Sequence, residues 1–329
     1  VLFRSKNIIS NIIISLKVNK EYKYINNKPD TNTVTEYKPQ IFQYVKDVFI
    51  SRIGAVVYYS TDNIIISALK GSLLTGYLSN YTLITGQLNT VVTQVLSSLQ
   101  ATFGNYISTT KDKDDRLKMT DNYFCVNFCI GNFCMICFSL LAQPFIKLFF
   151  GERMLLSFST ALWLGINLML TFLIQLPSQV FVIYKLFRYD RPIIITSAVL
   201  NIVMSIALVN KLGINGVLIG TFITSLIYLF SRFYIIARYV YKIKYNYYVK
   251  KVLYYAIISC FTFIVSYLVS ENIKEGEIIW FIIKTILVVL LALFLTSLFL
   301  SFSREFEFLK NKLLPANVRK FVNKYTIGI

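Results

Sequence analysis

The sequence of 329 residues contains no histidine, which removes the commonest general base and the commonest transition-metal ligand from its chemistry. Charge is scarce: 15% of residues are charged, where a soluble domain carries about 25%. Acidic residues are scarcer still, 16 against 34 Lys and Arg, leaving a formal charge of +18. In a soluble protein that excess would point to nucleic acid, because clustered cations neutralise phosphates. Here the cations sit between long apolar segments, so the basic surface reads as membrane orientation and attraction to anionic head groups, with no nucleic-acid partner. Four of the five cysteines, Cys125, Cys129, Cys134 and Cys137, share one apolar run. At about 100° per residue they point to several faces of one helix, which argues for packing or lipid-facing thiols over a Cys134-x-x-Cys137 metal or redox half-site. No metal and no cofactor is expected.

Apolarity is what the chain has in abundance, with 56% hydrophobic residues. A helix needs about 20 apolar residues to cross the hydrocarbon, and such runs lie at 47–69, 73–103, 122–149, 155–184, 192–210, 213–237, 252–270 and 278–301. They predict an all-α, polytopic transmembrane helix bundle. The connections between them are short, the longest being the polar stretch from Lys17 to Lys46 with Pro29 and Pro39, and leave no room for an extramembrane catalytic unit. The chain opens on Val1, and its residues up to Ile14 read as the end of an apolar helix without a basic start or a cleavage site. A C-terminal fragment of a longer protein is therefore expected.

Alternate connections hold 25 and 5 of the Lys and Arg residues. Cytoplasmic loops retain basic residues, so the side carrying Lys113, Arg188 and Lys244 is read as cytoplasmic, and the side carrying Lys70, Arg153 and Lys274 as external. Tyr234, Tyr239, Tyr241, Tyr245, Tyr247, Tyr248, Tyr254 and Tyr255 flank the loop at Lys244, where an inner aromatic belt is expected, with Trp280 anchoring the outer one.

Ionisable groups inside a bilayer are costly and usually face a cavity or a partner. The first complete span holds two, Arg52 near its cytoplasmic end and Asp62 deeper, followed by Asn63. Asp62 is read as cavity-facing, against a structural hydrogen bond to a neighbouring helix. Lys284, beyond Trp280, is expected to snorkel outward. The second span carries two polar stripes. Asn80, Gln87, Gln94 and Asn105 fall within about 40° of one another, and Thr82, Asn89, Thr93 and Gln100 occupy the opposite side. One stripe would line water and the other hydrogen-bond to neighbours, and angles alone do not say which. Pro177 between Gln175 and Gln179 is expected to kink its span beside the pathway, and Gly216 and Gly220 have the spacing of a close helix approach.

The run TDNIIISALKGSLLTGYLSNYTLI, Thr61 to Ile84, resembles the seventh and eighth helices of bacterial polysaccharide repeat-unit flippases, of the multidrug/oligosaccharidyl-lipid/polysaccharide exporter superfamily. A second run, LFRYDRPIIITSAVLNIVMSIALVNKLGINGVLIGTFIT from Leu186 to Thr224, is similar to that family's short cytoplasmic loop, next helix and glycine-marked outer turn, although the connection at Tyr189 to Pro192 is shorter. The resemblance implies the second six-helix lobe of a two-lobe exporter plus two extra C-terminal helices. Residues 1–17 would end a truncated helix, 18–46 form the cytoplasmic inter-lobe loop, 47–237 the lobe, 238–301 the additional helices and 302–329 a cytoplasmic tail.

The resemblance further implies a non-enzymatic flippase in the bacterial inner membrane. It would move undecaprenyl-pyrophosphate-linked oligosaccharide repeat units for capsule or exopolysaccharide by alternating access. Its partners would be that lipid-linked oligosaccharide, membrane lipids, and a polysaccharide polymerase with other assembly proteins. Arg52 would attract the pyrophosphate, while Asp62, Asn63, Asn80, Gln87, Gln94 and Gln175 would line the cavity. A multidrug exporter of the same superfamily, with Asp62 as a proton or sodium site, is the nearest alternative. A membrane-embedded polymerase or acyltransferase is the other, and it would be expected to show a large outer loop or a catalytic His/Asp set.

Overall fold

The computed structural model describes residues 2–26, 31–273, 277–301 and 305, and every regular element among them is helical. In chain order these are α1 (Leu2–Glu21), α2 (Thr31–Lys70), α3 (Ser72–Thr109), α4 (Lys113–Phe150), α5 (Phe158–Ile183), α6 (Phe187–Leu212), α7 (Ile214–Ile235), α8 (Asn246–Glu271) and α9 (Ile278–Leu300). A π-helical turn, Ile236–Tyr241, extends α7. The chain divides into two compact units, Val1–Phe49 and Ile50–Ile329. In the first, α1 leaves Ile9, Ile12, Ile13 and Leu16 exposed, and α2 begins at Thr31, so much of the stretch expected as a connection before residue 47 is helical.

The second unit carries the bundle. Helix α4 runs through its middle, packed against α3, α5, α8 and α9. Its start is written in sequence: the Asp112 side chain caps the Asp114 amide, and Asp114 and Asp115 occupy the positive end of the helix dipole. At α6–α7 the turn is made by Gly213 at φ 60° and ψ −139°, a conformation that favours glycine. The next glycines let the two helices touch backbone to backbone, since a Cβ on Gly216 would lie 2.3 Å from the Leu208 carbonyl oxygen. Helix α5 continues through Pro177 on both sides.

Solvent preference is inverted relative to a soluble protein. Ile195, Val199, Val203 and Ile206 on α6 and Ile279, Ile282, Ile286 and Leu290 on α9 form exposed apolar stripes at helical spacing. Inside, the buried Asn132 amide of α4 donates to Thr262 Oγ1 of α8 at 3.2 Å and Thr296 Oγ1 of α9 at 2.9 Å. Among the described residues six helices are long and apolar enough to cross a membrane: α4, α5, α6, α7 with its π turn, α8 and α9. The expected spans at 47–69 and 73–103 are helical as parts of α2 and α3, but both helices are more polar. The chain is an all-α, multi-pass membrane protein.

The tyrosine cluster divides in two. Tyr234, Tyr239, Tyr247 and Tyr254 are exposed, as a belt requires, whereas Tyr241, Tyr248 and Tyr255 are buried. Tyr241 ends the π turn after α7, while Tyr248 and Tyr255, seven apart on α8, lie within about 20° of one line, and all three pack inward. Tyr248 stacks on Phe233 at 4.4 Å and Tyr255 on Phe128 at 4.2 Å. The four cysteines of α4 are free thiols in or against the core. The described residues contain no cluster of His, Cys, Asp and Glu able to hold a metal.

Candidate functional site

A cavity of about 820 Å³ opens between α3, α5 and α7, within the size range of small-molecule sites. All four members of the second stripe of α3, Thr82, Asn89, Thr93 and Gln100, line it. Helix α5 adds Asn167, Thr171, Gln175, Ser178 and Gln179, and α7 adds Thr221 and Ser225. Among the described residues, the lining has no ionisable and no aromatic side chain. It is a wall of hydroxyls and amides, broken by Leu164, Leu168 and Ile174.

Hydrogen bonds hold the wall in register. Gln175 Nε2 donates to Thr93 Oγ1 at 3.3 Å, and Thr93 donates to Asn89 Oδ1 at 3.4 Å, joining α5 to α3. Asn167 Nδ2 donates to the Leu218 carbonyl at 3.0 Å, joining α5 to α7. The other amide oxygens, Asn167 Oδ1 and Gln175 Oε1, are buried and have no hydrogen-bond partner among the described residues. Buried acceptors without donors are costly, and both oxygens lie beneath the cavity surface with almost no accessible area.

Behind the cavity wall lies a second polar layer. Thr221 Oγ1 donates to Asp62 Oδ2 at 2.7 Å, Asn201 Nδ2 donates to Thr221 Oγ1 at 3.0 Å, and Thr61 Oγ1 donates to Asn201 Oδ1 at 3.1 Å. These contacts tie α2, α6 and α7 together through oxygen and amide groups around one carboxylate. Such a set is suited to a proton or a small hard cation.

An ion pair that the sequence did not reveal sits beneath Ser178. Arg232 of α7 donates from Nε and Nη2 to Asp190 Oδ1 of α6 at 2.9 and 2.6 Å, and from Nη1 to Ser178 Oγ of α5. Its guanidinium lies 4.2 Å from the Tyr228 ring and 5.2 Å from that of Phe181. Arg232 is 4% exposed and Asp190 5%, so both charges are desolvated and depend on each other. In the sequence Arg232 reads as one more cation of a basic loop, and nothing there marks its partner.

The expected site residues part company. Gln175 lines the cavity, and Asp62 touches it through Thr221. Asn63 is exposed on α2. Asn80 and Gln87 line a separate, mainly apolar groove of about 390 Å³ with Phe145 and Phe150, and Gln94 is exposed. The stripe to which they belong therefore faces away from the polar cavity, and the opposite stripe supplies it. The side chain of Arg52 lies outside the described residues. Lys284 is 7% exposed and shares the buried face of α9 with Val288 and Ala292.

No family model matches this sequence, and no curated protein matches it. Among solved structures, the fold is similar to that of the lipid II flippase MurJ in its inward closed conformation, with a TM-score of 0.54 at 18% sequence identity. The match covers 89% of this chain and 60% of that one, so the chain spans less than two thirds of its neighbour's length, and the likeness is one of fold.

Proposed function

We propose that this chain is the cavity-forming lobe of a flippase that carries lipid-linked oligosaccharide repeat units across the bacterial inner membrane. The observation that carries this reading is the cavity wall of amides and hydroxyls, in which no described side chain is charged. A sugar head group cannot enter hydrocarbon, and its hydroxyls must exchange water for fixed donors and acceptors. Amides and hydroxyls provide both without committing a charge. An exporter of hydrophobic drugs would be served better by aromatic and aliphatic walls, and the described lining carries no aromatic ring.

In this reading residues 47–237 form one six-helix lobe and 238–301 two accessory helices, and a second lobe closes the cavity by alternating access. The flippase identity of the structural neighbour supports the assignment at the level of a lipid-linked cargo. The finer assignment, an undecaprenyl-pyrophosphate carrier destined for capsule or exopolysaccharide, rests on the resemblance of the Thr61 to Ile84 and Leu186 to Thr224 runs. Arg52 is assigned to the pyrophosphate, and Asp62 with Thr221 and Asn201 to the coupling of transport to a proton or sodium ion. Deleting the gene tests the reading. Lipid-linked oligosaccharide should accumulate in the inner leaflet while surface polysaccharide is lost, and unchanged surface polysaccharide would overturn it.

A further inference from the structure

Glycine is the least favourable helix residue after proline, so one kept inside a helix has a packing or a functional reason. Several glycines of the bundle show a packing reason. A Cβ on Gly165 would lie 2.2 Å from Ser139 Oγ, one on Gly216 2.3 Å from the Leu208 carbonyl oxygen, and one on Gly131 3.3 Å from the Met169 side chain. Gly86, in the interior of α3, has no such neighbour: among the described residues a Cβ there would meet nothing within 4 Å. It sits within continuous helix, so no turn asks for glycine either. The open space beside it is the polar cavity, which Gly86 lines.

The wall forms a notch at this point. Thr82 stands four residues before Gly86 and Asn89 three after, spacings that put both on its face of the helix, and both line the cavity. They are about 10 Å apart along the axis at 1.5 Å per residue. Asn89 accepts from Thr93 through Oδ1, which leaves its amide N–H groups as the donors it can offer. Helix α5 contributes Leu164 and Leu168 to the same lining. A sugar ring has the matching surface, with C–H groups on its faces and hydroxyls around its edge. The described lining has no aromatic ring to cover such a face, and a stretch of backbone without a side chain lets one approach closely. We propose that Gly86 is the seat of one pyranose ring of the cargo, a C–H face lying against the α3 backbone and edge hydroxyls meeting Thr82 and Asn89. The proposal rests on the transport reading and adds to it the residue that sets how wide a sugar the cavity admits.

The test measures binding to the intact transporter in nanodiscs of undecaprenyl pyrophosphate bearing a disaccharide and of the bare carrier, together with thermal unfolding. Gly86→Ala adds a methyl group that touches no described neighbour and improves helix propensity, so it should unfold at the wild-type temperature or above. Its affinity for the disaccharide lipid should nevertheless fall, and that of Gly86→Leu should fall by about tenfold or more, while the bare carrier binds both variants as it binds the wild type. Gly76→Leu, at an exposed position of α3 outside the cavity lining, should change neither affinity. A variant that is as stable as the wild type and binds sugar worse identifies a ligand contact, because loss of a packing glycine would lower stability. Wild-type affinity of Gly86→Leu for the disaccharide lipid would overturn the seat and leave the transport reading standing. So would an equal loss for the bare carrier, or an equal loss in Gly76→Leu. A wild type that binds the two lipids equally would overturn both the seat and the reading.

Discussion

Thr221 gives its hydroxyl proton to the Asp62 carboxylate across 2.7 Å, so the wall of the polar cavity and the carboxylate of α2 are in direct contact. A molecule that disturbs Thr221 also disturbs the environment of Asp62. Asp62→Asn keeps the size of the group and an oxygen for Thr221, and removes the charge. Membrane insertion should be unchanged and transport should fall by about tenfold or more, equivalent to about 1.4 kcal/mol of barrier. Surface polysaccharide per inserted protein is the measure, and Thr221→Val should move it in the same direction.

The Arg232–Asp190 pair makes a prediction about stability. With both groups buried, Asp190→Asn strands a guanidinium and should cost about 3–5 kcal/mol. Replacing both, as Asp190→Asn with Arg232→Gln, should recover part of that loss. Thermal unfolding of the detergent-solubilised single and double variants closes the cycle, and a double variant as unstable as the sum of the singles would show that the charges are independent.

How much of this was open to sequence reading differs from residue to residue. Apolar runs located α4 to α9, and the Gly216–Gly220 spacing pointed to a close approach that Leu208 and Ser205 of α6 provide. Periodicity also grouped Thr82, Asn89, Thr93 and Gln100 on one line. It could not choose between that line and the one through Asn80 and Gln87, because a helical angle is relative and both stripes are amide-rich. Only the position of α5, which brings Gln175 against Thr93, decides it. Lys284 shows the same limit: its distance along the helix can be read from sequence, whereas its place on the buried face of α9 cannot.

Topology is a separate claim. Single cysteines at positions 113, 188 and 244, in a background without native cysteines, should be shielded from an impermeant thiol reagent in intact cells, and a cysteine at 153 should react. Labelling at 244 from outside would invert the orientation drawn from the basic loops.

Arg52 is assigned to the pyrophosphate. Arg52→Lys keeps the charge and loses the two-pronged fork, so it should retain part of the transport, whereas Arg52→Ala should weaken substrate binding about tenfold or more. Wild-type transport by Arg52→Ala at equal expression would remove the residue from the site.

The central claim, that the α3–α5–α7 cavity holds the sugar head group, is tested most directly by binding of a lipid-linked oligosaccharide to the intact transporter in nanodiscs. Asn89→Leu and Gln175→Leu replace lining amides, and Gln94→Leu replaces an exposed amide on the opposite stripe. The account predicts affinity about tenfold or more weaker for the first two, at about 1.4 kcal/mol for each tenfold, and wild-type affinity for the third. Equal affinity in all three, or a loss confined to Gln94→Leu, would contradict it.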